Sequence, residues 1–126
     1  IKDQWLLGAG FGKTVTYISN DPRVRAENPS GEYTTSAFEW GYLDIWLKIG
    51  LLGLLVYLSI LSNIFVGLFR SAHICVLRGA WEAALVPATL AFSLLALAVI
   101  HIFTPYLNHP LGFGVVILAA VWLDKK

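Results

Sequence analysis

An all-α, polytopic membrane protein, about three transmembrane helices preceded by an external loop segment, is the fold class this sequence predicts. Three uncharged runs predict it. Residues 49–69 are 21 positions without a charge. As a helix they rise about 31 Å, the thickness of a bilayer hydrocarbon core. Residues 83–107 add 25 uncharged positions, interrupted only by His101 and two prolines. Residues 110–123 add 14 more, about 21 Å of helix, which spans only if Leu107, Asn108 and His109 extend it.

Composition agrees. Of 126 residues, 57% are apolar and 13% charged, with mean hydropathy +0.69; ordinary soluble domains carry about 25% charge. That excludes a disordered chain, and two buried core helices this long would leave too little chain to cover them. A net charge of +1, dispersed along the chain, excludes a nucleic-acid surface. The single cysteine, Cys75, excludes an intramolecular disulfide and a thiolate zinc cluster. The chain has no Met, so Ile1 is not an initiator, and the expectation is the C-terminal part of a longer protein.

Taken in order, residues 1–41 form the external loop segment and 42–126 the helical region, with spans near 41–69, 82–104 and 108–123. The loop holds five acidic and four basic residues and two turn-rich strings, Ser19-Asn20-Asp21-Pro22 and Asn28-Pro29-Ser30-Gly31. Thr14–Ile18 alternates weakly, with helix and strand both open. Gly8-Ala9-Gly10-Phe11-Gly12-Lys13-Thr14 ends like a phosphate-binding loop, but that motif needs a glycine where Leu7 stands. Glycines that tolerate positive φ where the chain meets the membrane are the simpler reading.

At the start of the first span, Asp44 and Lys48 make an i,i+4 pair, with Glu39, Tyr42 and Trp46 on adjacent turns. Two readings stand here. Either Lys48 snorkels to the surface with Asp44 as its partner, or the charges line a polar cavity at the membrane boundary. Arg70 and Arg78 are expected to flank the connection after the first span, with Cys75 in that connection, and Lys125 and Lys126 follow the third. All three spans crossing puts these basic ends on the inner side and residues 1–41 outside, periplasmic or extracellular. Trp40, Tyr42, Trp46 and Trp81 suit the aromatic interfacial belts. Pro87 is expected to kink or loosen the start of the second span. His101 is expected to be a packed histidine hydrogen-bonded to a neighbouring helix, and His109 a loop residue.

The Gly8–Gly12 string, a polar loop, then Glu39 followed eleven positions later by Gly50-Leu51-Leu52-Gly53-Leu54 resembles the C-terminal part of the O-antigen ligase and O-antigen polymerase family. That family usually places a His-Asn pair before a hydrophobic helix with a Gly-x-x-Gly turn. Here Glu39 stands at the histidine, Trp40 at the asparagine, and Gly50 and Gly53 supply the glycine pair. Thr104-Pro105-Tyr106-Leu107 resembles the family's short external turn. The departure at Glu39 leans toward a polymerase-like or divergent exopolysaccharide branch. The resemblance implies a multi-pass inner-membrane glycosyltransferase that takes glycan from an undecaprenyl-pyrophosphate donor at the periplasmic face and passes it to a glycan or lipid acceptor. It implies membrane lipids as surroundings, no nucleotide sugar, no cofactor and no metal.

Such a reaction needs cations for the pyrophosphate leaving group. Arg23 and Arg25, alternating on an expected extended segment and so sharing a face, are the available pair, with Lys13 and Lys48 behind them; a solvated loop balanced by Asp21 and Glu27 is the alternative. An acceptor hydroxyl needs a base, and Glu39 is the candidate catalytic residue. Trp40, Tyr42 and Tyr33 stack on sugar rings or anchor at the interface. With Asp44, these form the candidate substrate-binding set. Two other classes stay open: part of a polytopic transporter coupled through Asp44 and Lys48, and a non-enzymatic membrane subunit.

Overall fold

The computed structural model describes residues 4–36 and 40–125. Glu39 and Lys126 lie outside the described residues. The chain runs β1 (Val15–Ile18), α1 (Pro22–Glu27), β2 (Glu32–Thr35), α2 (Gly41–Leu77), α3 (Trp81–Ile100), a 3₁₀ turn (Tyr106–Asn108) and α4 (Pro110–Asp124).

The protein is mostly helical, and α2 and α3 are long and apolar enough to cross a membrane. Only 11% and 28% of their most apolar 18-residue stretches are buried within the chain. Core helices of a covered globule would bury far more. Large apolar side chains such as Leu55, Val56, Phe69, Leu85, Phe92 and Leu118 point outward. At 15 residues, α4 reaches about 22 Å.

The three helices pack on one another through two small clusters. Leu61, Leu94 and Leu107 make one; Leu68, Ala91 and Ala119 make the other. Ala91 and Ala119 are small enough to bring helix backbones close, which is where apolar helices gain dispersion contact. Gly67 lies against Leu123, so the C-terminal ends of α2 and α4 share one end of the bundle.

Of the two forms open to Thr14–Ile18, Val15–Ile18 takes the strand, β1, paired antiparallel with β2 through Tyr17↔Tyr33, whose rings meet edge to face at 5.7 Å. Other expectations are corrected. Between the strands, Asp21-Pro22 is a helix start. Asp21 Oδ1 accepts the Arg23 N–H at 2.8 Å and Pro22 fills the first helical position, where its missing N–H costs nothing. Arg23 and Arg25 therefore sit on α1, roughly 200° apart, and do not share an extended face.

The first helix does not stop at residue 69. It continues to Leu77, so Cys75 is on the helix and the connection shrinks to Arg78–Ala80. Arg70 ends the apolar stretch but is a good helix former, so charge ends the run without ending the helix. The stop is chemical: Gly79, at φ 73°, donates to the Val76 carbonyl while Ala80 donates to Cys75. That pair of bonds is a Schellman motif, which favours glycine in the left-handed region. The second helix runs through Pro87 and ends at Ile100, four residues short of the expected bound.

Candidate functional site

The site begins with a break. At Gly50 (φ 72°, ψ −178°) α2 leaves helical geometry for one residue. A helix broken there loses two bonds, leaving the Leu47 and Lys48 carbonyls and the Leu51 and Leu52 N–H groups without helical partners. The N-terminal segment supplies all four. Leu51 N–H donates to the Trp5 carbonyl (3.0 Å) and Leu52 N–H to Leu6 (3.3 Å); Ala9 N–H donates to the Leu47 carbonyl (2.7 Å) and Gly10 N–H to Lys48 (2.9 Å). Trp46 Nε1–H also donates to the Trp5 carbonyl, at 2.9 Å.

This clasp needs glycine twice. A Cβ on Gly8 would run into the backbone of Gly50 and Lys48, and one on Gly50 into the carbonyl of Leu6; both residues also have positive φ. The two glycine strings of the sequence are thus one structure. Residues 5–10 of the loop segment are built onto α2.

The half-helix before the break carries the charges. Lys48 Nζ donates to Asp44 Oδ2 at 2.7 Å, with the Asp44 side chain 6% exposed and Lys48 16%. Beside them opens a cavity of about 440 Å³, walled by Phe11, Asp44, Ile45, Lys48, Ile49, Tyr57, Pro105, Asn108 and His109. The expected i,i+4 pair forms, and it stands in the wall of this cavity. Phe11 is 73% exposed, and Lys48 Nζ stands 5.9 Å from its ring centroid. His109 begins α4, its Nδ1 accepting the Leu111 N–H at 3.4 Å. The neutral ring therefore carries its proton on Nε2, as a donor.

His101 braces this end of the bundle. It is fully buried, its carbonyl accepts the Gly41 N–H at 3.1 Å, and its Nδ1 accepts the Leu107 N–H at 3.2 Å. Its ring meets Tyr42 edge-on at 4.7 Å and fills the space a side chain at Gly41 would need. One residue joins the start of α2 to the turn that carries Asn108 and His109. Its Nε2 is buried without a hydrogen-bond partner among the described residues.

Of the residues singled out from sequence, the structure brings Asp44 and Lys48 together. Tyr42 turns to α3, its hydroxyl donating to the Ala98 carbonyl at 2.8 Å. Trp40 is exposed at the head of α2. Lys13 is exposed on the turn after Gly10, its N–H bonded to the Gly10 carbonyl. Arg25 Nη2 donates to Asn20 Oδ1 at 2.6 Å within the loop, and Arg23 is exposed on α1. None of these five lines the cavity.

Sequence reasoning passed over Phe11, Tyr57, Asn108 and His109 as wall residues. Phe11 sat inside a glycine string already noted. Asn108 and His109 had one signal: three crossings place their turn at the same end as Asp44.

Chemically, the wall offers a lysine ammonium with three donors, one spent on Asp44, together with an imidazole N–H, an amide and a phenol beside an exposed aromatic face. That inventory suits a ligand rich in hydroxyl or anionic oxygen. Comparison with protein-family models, with curated proteins and with solved structures finds no match to this chain.

Proposed function

We propose that this chain works in an integral-membrane glycosyltransferase of the O-antigen ligase and polymerase type, moving glycan from an undecaprenyl-pyrophosphate donor to a glycan or lipid acceptor at the periplasmic face of the bacterial inner membrane. The observation that carries the reading is the clasped break at Gly50, which sets the Asp44–Lys48 pair into the wall of a cavity. Non-helical backbone is tolerated at membrane depth only where protein buries it or a cavity receives it. Here the two strings on which the family resemblance rests meet to build that arrangement.

Orientation supports the same reading. Arg70 lies in the C-terminal portion of α2, Arg78 just after α2 and Lys125 just after α4, away from the cavity. With those basic ends inside, the cavity opens outward.

In the reaction the acceptor hydroxyl oxygen attacks the anomeric carbon and the bond to pyrophosphate breaks. The hydroxyl proton passes to a base and the electron pair leaves with the phosphate. Lys48, held by Asp44, is the lysine in the cavity wall that would face such a leaving group. Glu39, outside the described residues, is the proposed base. Arg23 and Arg25 stand off the cavity wall and belong to a donor contact only if the loop closes over it.

The test is Lys48→Gln together with Asp44→Asn in the full-length protein, expressed in cells whose polymer depends on it. Polymer is expected to fall at least tenfold, with membrane abundance unchanged and lipid-linked donor accumulating. Normal polymer in both variants overturns the reading. A broken helix beside a buried ion pair is also how secondary transporters bind substrate. Polymer defects matched by loss of proton-coupled uptake, with no donor accumulation, would favour that reading instead.

A further inference from the structure

We infer that Phe11 is the platform on which a sugar ring of the substrate stacks, a binding role that rests on the glycan-transfer reading above. A pyranose has two kinds of surface. Its hydroxyls point to the rim, while its axial C–H groups make an apolar, slightly positive face. A site for it needs an aromatic face with hydrogen-bonding groups around the edge.

The cavity supplies those parts. Phe11 is 73% exposed although it lines the cavity, so its ring is not used up in packing. Polar groups share the cavity with it: Lys48 Nζ lies over the ring, 5.9 Å from its centroid, and Asn108, His109 and Tyr57 line the same cavity. The Phe11 backbone is held beside that of Lys48. Ala9 and Gly10 are hydrogen-bonded to the carbonyls of Leu47 and Lys48, so the residue immediately after them is registered to the turn that carries the ammonium. Gly10, at φ 85°, has open space around it, which lets the backbone reverse there and present the ring.

The readout uses purified full-length protein in nanodiscs and, as probe, the undecaprenyl-pyrophosphate-linked oligosaccharide extracted from producing cells. Phe11→Leu keeps size and apolarity but loses the aromatic face; Phe11→Trp keeps the face. Stacking predicts that Phe11→Leu raises KM for the donor or acceptor about tenfold with kcat within twofold, and that Phe11→Trp stays within threefold of wild type. A lipid anchor would be served equally well by leucine, so wild-type kinetics in Phe11→Leu overturns the inference. A fall in kcat at unchanged KM also overturns it, because Phe11 would then act only through Lys48. Equilibrium binding of the same oligosaccharide is measured in parallel. Binding that weakens about tenfold in Phe11→Leu, without turnover in wild type, sinks the transferase reading and leaves the platform standing. No binding by wild type sinks the platform itself.

Discussion

His101 shows how a single side chain can shape a site it does not line. Leu107 is 2% exposed, so its N–H has no water to turn to if the His101 acceptor is removed. An unsatisfied buried donor costs about 1–3 kcal/mol. His101→Leu is therefore expected to destabilise the full protein by about that amount, read as a lower unfolding midpoint in detergent. His101→Asn, which places an oxygen near the position of Nδ1, is expected to recover part of the loss. Equal stability of His101→Leu and wild type would show that the Leu107 bond contributes nothing. The histidine itself was legible as a packed, hydrogen-bonded residue. Its partners were not, because Gly41, Tyr42 and Leu107 reach it through the fold and share no sequence spacing with it.

At the scale of elements, α2 is governed by its glycines. Gly50 breaks it, Gly79 stops it, and each works through positive φ. Holding a non-glycine residue in such backbone costs about 1–3 kcal/mol, and at Gly8 and Gly50 a Cβ would in addition strike backbone atoms. Gly50→Ala and Gly8→Ala are expected to lower membrane abundance and protease resistance sharply. Gly10→Ala, with positive φ but open space, is expected to do so less. Gly114→Ala is the control: it lies inside α4 with nothing within 4 Å, so alanine should be neutral or stabilise by up to about 1 kcal/mol. Equal tolerance at all four sites would remove the clasp as a structural requirement. The strings were visible beforehand as glycine-rich. Their meeting was not, since positions 8 and 50 are joined only by the folded backbone. The short helix α1 was missed because Asp-Pro serves equally as a turn and as a helix start.

For the whole molecule, the decisive property is surface. The apolar faces of α2 and α3 are uncovered within the chain, and lipid or neighbouring apolar helices are the surroundings they fit. Under the proposed topology, single cysteines at Ser30 and Asn108, both exposed, are expected to react with a membrane-impermeant probe from outside intact cells. Ala80→Cys, in the exposed turn between α2 and α3, is expected to react only after permeabilisation. Labelling of Ser30 and Ala80 from the same side would overturn the topology, and with it an outward cavity.

Uncharged run length determined where the helices lie, though not where they end, because each backbone hydrogen bond in a helix is local and an apolar run of about 20 residues has few other stable forms. Charge spacing likewise determined the Asp44–Lys48 pair, one turn apart on a single helix. What only the tertiary structure decided is where the chain departs from those local rules. The partners that satisfy the break at Gly50 come from residues 5–10, and the far wall of the cavity comes from residues 105–109. Those contacts depend on non-local packing, and neither periodicity nor composition records which distant backbone groups will complete one another.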